Sequence, residues 1–189
     1  MEGLPGAGKT TSAGLLARRL GAAVLRERTP DHPFLESVYD DERRYDFEVE
    51  LAFLLLHSGA YRRADRERVT VADYSPVKDV LFARDMLAGD DLDLWLRTYG
   101  HVYRGVGLPD VAVLIRVPAA ECLRRVRERG HEFEQAMTLD RLQRMEALYE
   151  RHLADLGADV LTFDVALGQG PEQVADELAA VIRREALIL

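Results

Sequence analysis

A single cysteine, Cys122, stands among 189 residues, so no disulfide can close within the chain. No Cys/His cluster shows metal-ligand spacing either, which points to a reducing, cytoplasmic setting. Positive charge is in short supply: 25 Lys and Arg against 33 Asp and Glu leave a formal net charge of -8. That is the wrong sign for a general nucleic-acid surface, so an anionic ligand must be held by local cations. The sequence has no apolar run near the roughly 18 residues of a membrane span, and no basic start followed by an apolar stretch. Internal repeats and low-complexity linkers are also missing. The N-K-x-D and D-x-x-G motifs that a GTPase switch needs do not occur, and the length is short for most motor ATPases.

What is present is a folding composition, 48% hydrophobic and 31% charged. A domain of this size buries roughly 70% of its unfolded surface, enough for one core without staples. A single domain over residues 1–189 is expected. The first informative stretch is GLPGAGKT, residues 3–10, which fits G-x-x-x-x-G-K-[ST]. In that pattern the glycines turn backbone N–H groups inward, the helix start adds positive potential, and the lysine reaches the outer phosphates. Gly3, Gly6, Ala7, Gly8, Lys9, Thr10 and Thr11 are therefore the candidate phosphate cradle, with the Thr10 hydroxyl available to Mg²⁺.

Apolar spacing and turn signals alternate strand and helix along the rest of the chain, which implies an α/β fold with a parallel sheet. KTTSAGLLARRL reads as a helix ended by Gly21, AAVLRE as a short strand, and TPDHPFLESVYDDERR as a loop. A long helix with the apolar middle LAFLLL runs from about Tyr45 to Arg66. VTVAD, DVAVLIRV and ADVLTFDV read as further strands. SPVKDVLFARDML, DLDLWLRTYGHVYRG, AAECLRRVRERG, TLDRLQRMEALYERHLADLG and PEQVADELAAVIRREAL read as helices. About five strands are needed, because a phosphate loop of this kind hangs from a central strand, yet only Met1 and Glu2 precede this one. The absence of that strand should leave a slot in the core. We expect the biological protein to begin a few residues upstream, or the tail Leu187-Ile188-Leu189 to fill the gap. Asp73, ending VTVAD, is placed to meet the metal or its water shell, or to cap the next helix.

Four stretches in order resemble the deoxynucleoside kinases, especially the bacterial deoxyguanosine/deoxyadenosine kinase branch: EGLPGAGKTT, RERTPDHPFLESVYDDERRYDFEVELAFLLLH, VADYSPVKDVLFAR and CLRRVRERGHEFEQ. The resemblance implies a P-loop kinase sheet flanked by helices, with an arginine-rich lid over about residues 125–137. It implies ATP and Mg²⁺ as cofactors, a small deoxynucleoside as acceptor, and a homodimer through helices. Glu27 matches the general base that takes the 5′-hydroxyl proton; the plainer reading is a surface acid between Arg26 and Arg28. Tyr39 matches the residue that holds the sugar 3′-hydroxyl with a glutamate after the lid, here Glu134, with Glu132 close by in sequence. The plainer reading of Tyr39 is a half-buried core aromatic.

Glu50 stands where the family carries a base-reading glutamine. An ionised carboxylate only accepts hydrogen bonds. It would suit the paired N1–H and 2-amino donors of guanine, so deoxyguanosine is the expected acceptor. Asp73-Tyr74-Ser75 departs from the family's acid-Arg-Ser and removes one cation, which Arg84 or the lid would have to replace. Arg125 and Arg129 share a helix face and are the candidate phosphoryl-stabilising groups beside Lys9, whereas Arg124 reads as solvated surface. His32, His57, His101 and His152 show no pairing in the sequence, and Cys122, Trp95, Tyr99, Phe47 and Phe82 read as packing residues. The resemblance places Asp164 and the loop after it near the ATP adenine. One rival is a nucleoside monophosphate kinase such as thymidylate kinase, with Arg43, Arg44 and Arg62 on a second phosphate. Another is a catalytically weak regulatory subunit.

Overall fold

The computed structural model describes residues 1–27, 32–34, 44–65, 67–106, 109–131, 134, 136–152, 159–166 and 168–184. The element order is α1 (Lys9–Leu20), β1 (Ala23–Leu25), α2 (Asp46–Arg63), β2 (Thr70–Ala72), α3 (Pro76–Met86), α4 (Gly89–Val102), β3 (Val111–Arg116), α5 (Ala119–Arg129), α6 (Leu139–His152), β4 (Asp159–Asp164) and α7 (Pro171–Arg184). Each predicted helix and strand is found. Residues 153–158 and the tail 185–189 lie outside the described set.

The strands form two parallel pairs, β1 with β2 and β3 with β4. Among the described residues, the chain start stands between the pairs. The Met1 amino group donates to the Ala72 carbonyl at 2.6 Å. The Glu2 amide donates to Val113 O at 2.7 Å, and Ile115 N donates back to Glu2 O at 2.8 Å. These two residues thus occupy the C-terminal end of a central strand's place, and Glu2 makes an isolated parallel bridge to Leu114. Behind them lies a cavity of about 540 Å³ lined by residues including Met1, Leu16, Tyr61, Val71, Ala112 and Ile182. Among the described residues there are four strands and a bridge where about five strands were expected, and the tail Leu187-Ile188-Leu189 lies outside the described residues.

One apolar core joins α1, α5, α6, α7 and the inner faces of β2 and β3, through Leu16, Val71, Leu114, Cys122, Leu142 and Leu178. A second gathers α2, α3 and α4 around Trp95, with Leu54, Ala83 and Tyr103. Trp95, Tyr99, Phe47 and Phe82 pack in these two cores, as expected of packing residues. The strands are short and run parallel, so their carboxyl ends lie at one edge, where loops can meet ligands. Among the described residues no helix is long and apolar enough to cross a membrane.

Candidate active site

The loop before α1 is built by glycine. Gly3, Gly6 and Gly8 have φ of 144°, 84° and 89°, which L side chains rarely adopt. A Cβ at Gly6 would stand 2.4 Å from the Cys122 carbonyl oxygen, and one at Gly3 would stand 2.6 Å from Ile115 O. The loop is therefore pressed between the end of β3 and the first turns of α5, and Ala7 is buried there. Gly8 precedes α1 without a side-chain cap, so the first amides of that helix remain for a ligand. Thr10 and Thr11 are exposed at this end. Lys9 folds back, its Nζ donating to Gly3 O at 2.8 Å and Leu4 O at 2.9 Å. Burial and then repulsion from Lys78 push its amine down to about 8, partly offset by Glu2 and Glu27.

Glu2 is fully buried, its Oε2 accepting from Tyr149 OH at 2.8 Å, while Oε1 has no partner among the described residues. Tyr149 OH also lies 3.3 Å from Gly3 O, so this pair buttresses the loop from behind. Neither residue carries a sequence signal.

Beyond β1, Glu27 is held by three groups. Its backbone N–H donates to Asp73 Oδ1 at 2.7 Å, its Oε1 pairs with Lys78 Nζ, and His57 Nε2 lies 3.1 Å from the same oxygen. Burial would raise the Glu27 carboxyl, but Lys78 and His57 outweigh it and hold it well below the usual carboxylate range. Glu27 is thus half-buried and partnered rather than a free surface acid. The Lys78 ammonium is raised by Glu27 against its own burial, and sits 5.4 Å over the Phe82 ring. Lys9, Glu27 and Lys78 lie close enough to perturb one another, which brings the phosphate loop and the acid into one site.

His57 continues this chain of contacts. Its Nδ1 is hydrogen-bonded to Asp79 Oδ1, and Asp79 Oδ2 accepts from Tyr103 OH at 2.9 Å. Burial alone would lower the imidazole, yet Asp79 and Glu27 push it up to about 9, so it is a cation at neutral pH. The sequence offered no pairing for the histidines; the fold pairs His57 with two carboxylates. It also buries His32, whose Nε2 lies 2.9 Å from Val49 O and whose ring stacks 4.0 Å from Phe53.

Asp73 does not cap α3. Ser75 does, accepting from Val77 N at 3.3 Å, while Asp73 is buried and ties the end of β2 to Glu27. Tyr74 is core: its ring stacks 4.3 Å from His57, and its carbonyl accepts from Tyr61 OH at 2.9 Å. Arg84 is exposed. Lys78, in the first turn of α3, is the cation that stands beside Glu27. Glu50 lies on the inner face of α2 at 2% exposure, and its Oε2 has no partner among the described residues. Burial first, then the Asp79 carboxylate, push its carboxyl up to about 8 against Lys78 and Arg141. Burial thus works against the ionised carboxylate expected from sequence.

The two candidate arginines of α5 are both engaged. Arg125 Nε donates to Glu121 at 2.7 Å, and Arg129 forks onto Glu134, with Nε 3.0 Å from Oε2. In this state Glu134 faces Arg129. Arg124 is paired with Glu121 and Glu128 on the surface, as expected. Asp164 is an exposed partner of Arg116 at 2.6 Å. Arg62 donates to the Val102 carbonyl at the end of α4. Tyr39, Glu132 and Arg43 lie outside the described residues.

Comparison with known proteins bears on what this arrangement belongs to. The family model described as "Deoxynucleoside kinase" matches residues 1–183. A deoxyguanosine kinase of Bacillus subtilis is 28% identical over 174 residues, 87% of this chain and 84% of its own. A deoxyadenosine/deoxycytidine kinase of the same organism is 25% identical, over 96% of this chain and 91% of its own. Among solved structures, deoxyadenosine kinase from M. mycoides with bound dATP superposes with a TM-score of 0.80 at 20% identity, covering 96% of each chain. The same enzyme with products superposes at a TM-score of 0.81 and 19% identity, covering 97% of each chain.

Proposed function

Because the chain belongs to the deoxynucleoside kinase family, whose members are phosphotransferases, we propose that it moves the γ-phosphoryl group of ATP to the 5′-hydroxyl of a purine deoxynucleoside. The observation that carries this reading is the placement of Glu27, paired with Lys78 and His57, within electrostatic reach of Lys9 and the glycine loop. The acceptor oxygen bonds to the γ-phosphorus as the bridging P–O bond to ADP breaks, and the hydroxyl proton passes to the Glu27 carboxylate. For that to happen the hydroxyl takes the place of one of the cations now on Glu27. Lys78, on a flexible stem, is the one that can follow the developing phosphoryl charge, since Tyr74 offers none.

Gly3, Gly6, Ala7, Gly8, Lys9 and Thr11 cradle the phosphates. The exposed Thr10 hydroxyl and the free side of Asp73 are oxygen donors of the kind Mg²⁺ takes, and the ion would neutralise the phosphate oxygens there. Residues 125–137 act as the lid of a single domain. Arg125 and Arg129 leave Glu121 and Glu134 to meet the phosphoryl group, and Glu134 is then free to hold the sugar with Tyr39. The protein works in the cytoplasm as a homodimer through its helices; Leu55 on α2, 54% exposed, supports such a contact. A raised Glu50 carboxyl removes the basis for an exclusive preference for deoxyguanosine, so the reading is limited to purines.

Radiolabelled ATP offered with each deoxynucleoside and each monophosphate tests this. Label on a deoxynucleoside monophosphate supports it. Label on a diphosphate favours a monophosphate kinase, and label on neither a regulatory subunit.

A further inference from the structure

Three buried side chains beside Glu27 have no assigned part in the phosphoryl transfer. His57 lies on α2, Asp79 on α3 and Tyr103 directly after α4, so each helix of the second core sends one polar group toward the acid after β1. Their contacts run in one line. Tyr103 OH donates to Asp79 Oδ2 at 2.9 Å, Asp79 Oδ1 accepts from His57 Nδ1, and His57 Nε2 lies 3.1 Å from Glu27 Oε1. The imidazole is also packed between rings, with the Tyr74 centroid at 4.3 Å and the Phe53 centroid at 5.5 Å. Buried ionic groups of this kind stabilise a fold poorly compared with apolar side chains of the same size, so stability alone does not account for the line. Lys78 meets the same Glu27 oxygen, but from the end of a flexible stem.

Resting on the kinase reading, we propose that His57 is a positioning residue: it holds the Glu27 carboxylate in the orientation that accepts the 5′-hydroxyl proton, while Asp79 and Tyr103 hold His57. Both cations on Glu27 meet Oε1. Once Lys78 leaves with the developing phosphoryl charge, its vacated place on Oε1 is the one the hydroxyl can take. The imidazole is then the contact that still fixes the carboxylate. The ring suits this task because both of its nitrogens are committed, Nδ1 to Asp79 and Nε2 to Glu27, and as a cation it donates from each. Phosphoryl transfer leaves little covalent work to the protein, so placing groups counts for more than the strength of the base. That matters here, because its cationic neighbours hold the Glu27 carboxyl low. A shift of about 1 Å in a reacting group can cost about 10²-fold in rate. His57 does not touch the reacting atoms, and its effect passes through Glu27.

Asparagine and glutamine separate the two links of the ring. The asparagine amide nitrogen falls where Nδ1 stands and keeps the bond to Asp79, whereas the glutamine nitrogen falls where Nε2 stands and keeps the bond to Glu27. Single-turnover transfer from γ-labelled ATP to a deoxynucleoside is measured for wild type, His57→Asn and His57→Gln, each also combined with Glu27→Gln. With Glu27 in place, His57→Asn should lower the rate by about 10- to 100-fold and His57→Gln by about fivefold or less, with half-saturation by ATP changed less than about twofold in both. Beside Glu27→Gln the same changes should move the rate by less than about twofold, because a residue that acts through another loses its effect when that other is gone. An equal or larger loss in His57→Gln, or the full loss persisting beside Glu27→Gln, overturns the proposal and leaves His57 as a tie between α2 and α3. Should His57→Asn fail to fold, Tyr103→Phe carries the same test from the far end of the line. A rate at least about threefold lower with Glu27, and unchanged beside Glu27→Gln, supports the proposal, and any other pattern overturns it. No transfer to any deoxynucleoside by the wild type overturns the kinase reading and this inference with it; an active wild type with an overturning pattern removes the inference alone.

Discussion

Replacing Glu50 by glutamine should stabilise the folded protein near neutral pH, by an amount that grows with pH. The folded carboxyl titrates near 8 against an ordinary value of 4.5. Its folded pKa lies above its unfolded one, so its favourable contribution is complete below about pH 4.5 and is lost as pH rises through 8. Between those limits each pH unit costs about 1.4 kcal/mol. At 2% exposure there is little solvent to screen the charge. At pH 7 the acid therefore destabilises the fold by up to about 3 kcal/mol relative to an isosteric side chain that does not ionise. In a domain of this size that is roughly 6–12 °C in Tm. His57, pushed up to about 9, adds its own loss of stability from pH 6.5 upward, but it does so in both proteins. Denaturant unfolding of wild type and variant at pH 5, 6, 7 and 8 isolates the Glu50 term as the widening gap between them. Parallel pH profiles would show that Glu50 is not held neutral.

Lys78→Met should lower kcat by 10- to 100-fold with little change in ATP affinity, because the ammonium is assigned to the developing phosphoryl charge rather than to nucleotide binding; an unchanged kcat in steady-state assays would return it to a structural role. Gly6→Ala should weaken ATP binding at least tenfold by calorimetry, since its Cβ would meet the Cys122 carbonyl at 2.4 Å and α5 must move away. Wild-type affinity in that variant would mean the loop geometry seen here is not the one that binds nucleotide.

Much of this site can be read along the chain because its parts are local. The loop needs glycines at fixed offsets, a lysine, and a helix start, and all of these lie within residues 3–10. The acid after β1 and the lid arginines follow from the order of the four motifs. What escapes the sequence depends on distant elements meeting. Lys78 looks like any polar residue in the first turn of α3 until it meets Glu27, 51 residues away. His57 acquires its charge only between Asp79 and Glu27. Glu50 follows the same rule, since its residue type fixes which bonds it can make while the burial that raises its carboxyl comes from the fold. Glu2 and Tyr149, which brace the loop from behind, bond across 147 positions.

The central claim is that Glu27 draws the proton from a sugar hydroxyl opposite a phosphate loop. The direct measurement is single-turnover transfer from γ-labelled ATP to a deoxynucleoside by wild type and Glu27→Gln, with nucleoside binding followed in parallel by thermal shift. The account predicts label on the 5′-monophosphate in the wild type, and a loss of about 10²- to 10⁴-fold in the transfer rate of the variant with nucleoside binding retained. Equal transfer rates with binding intact would contradict it.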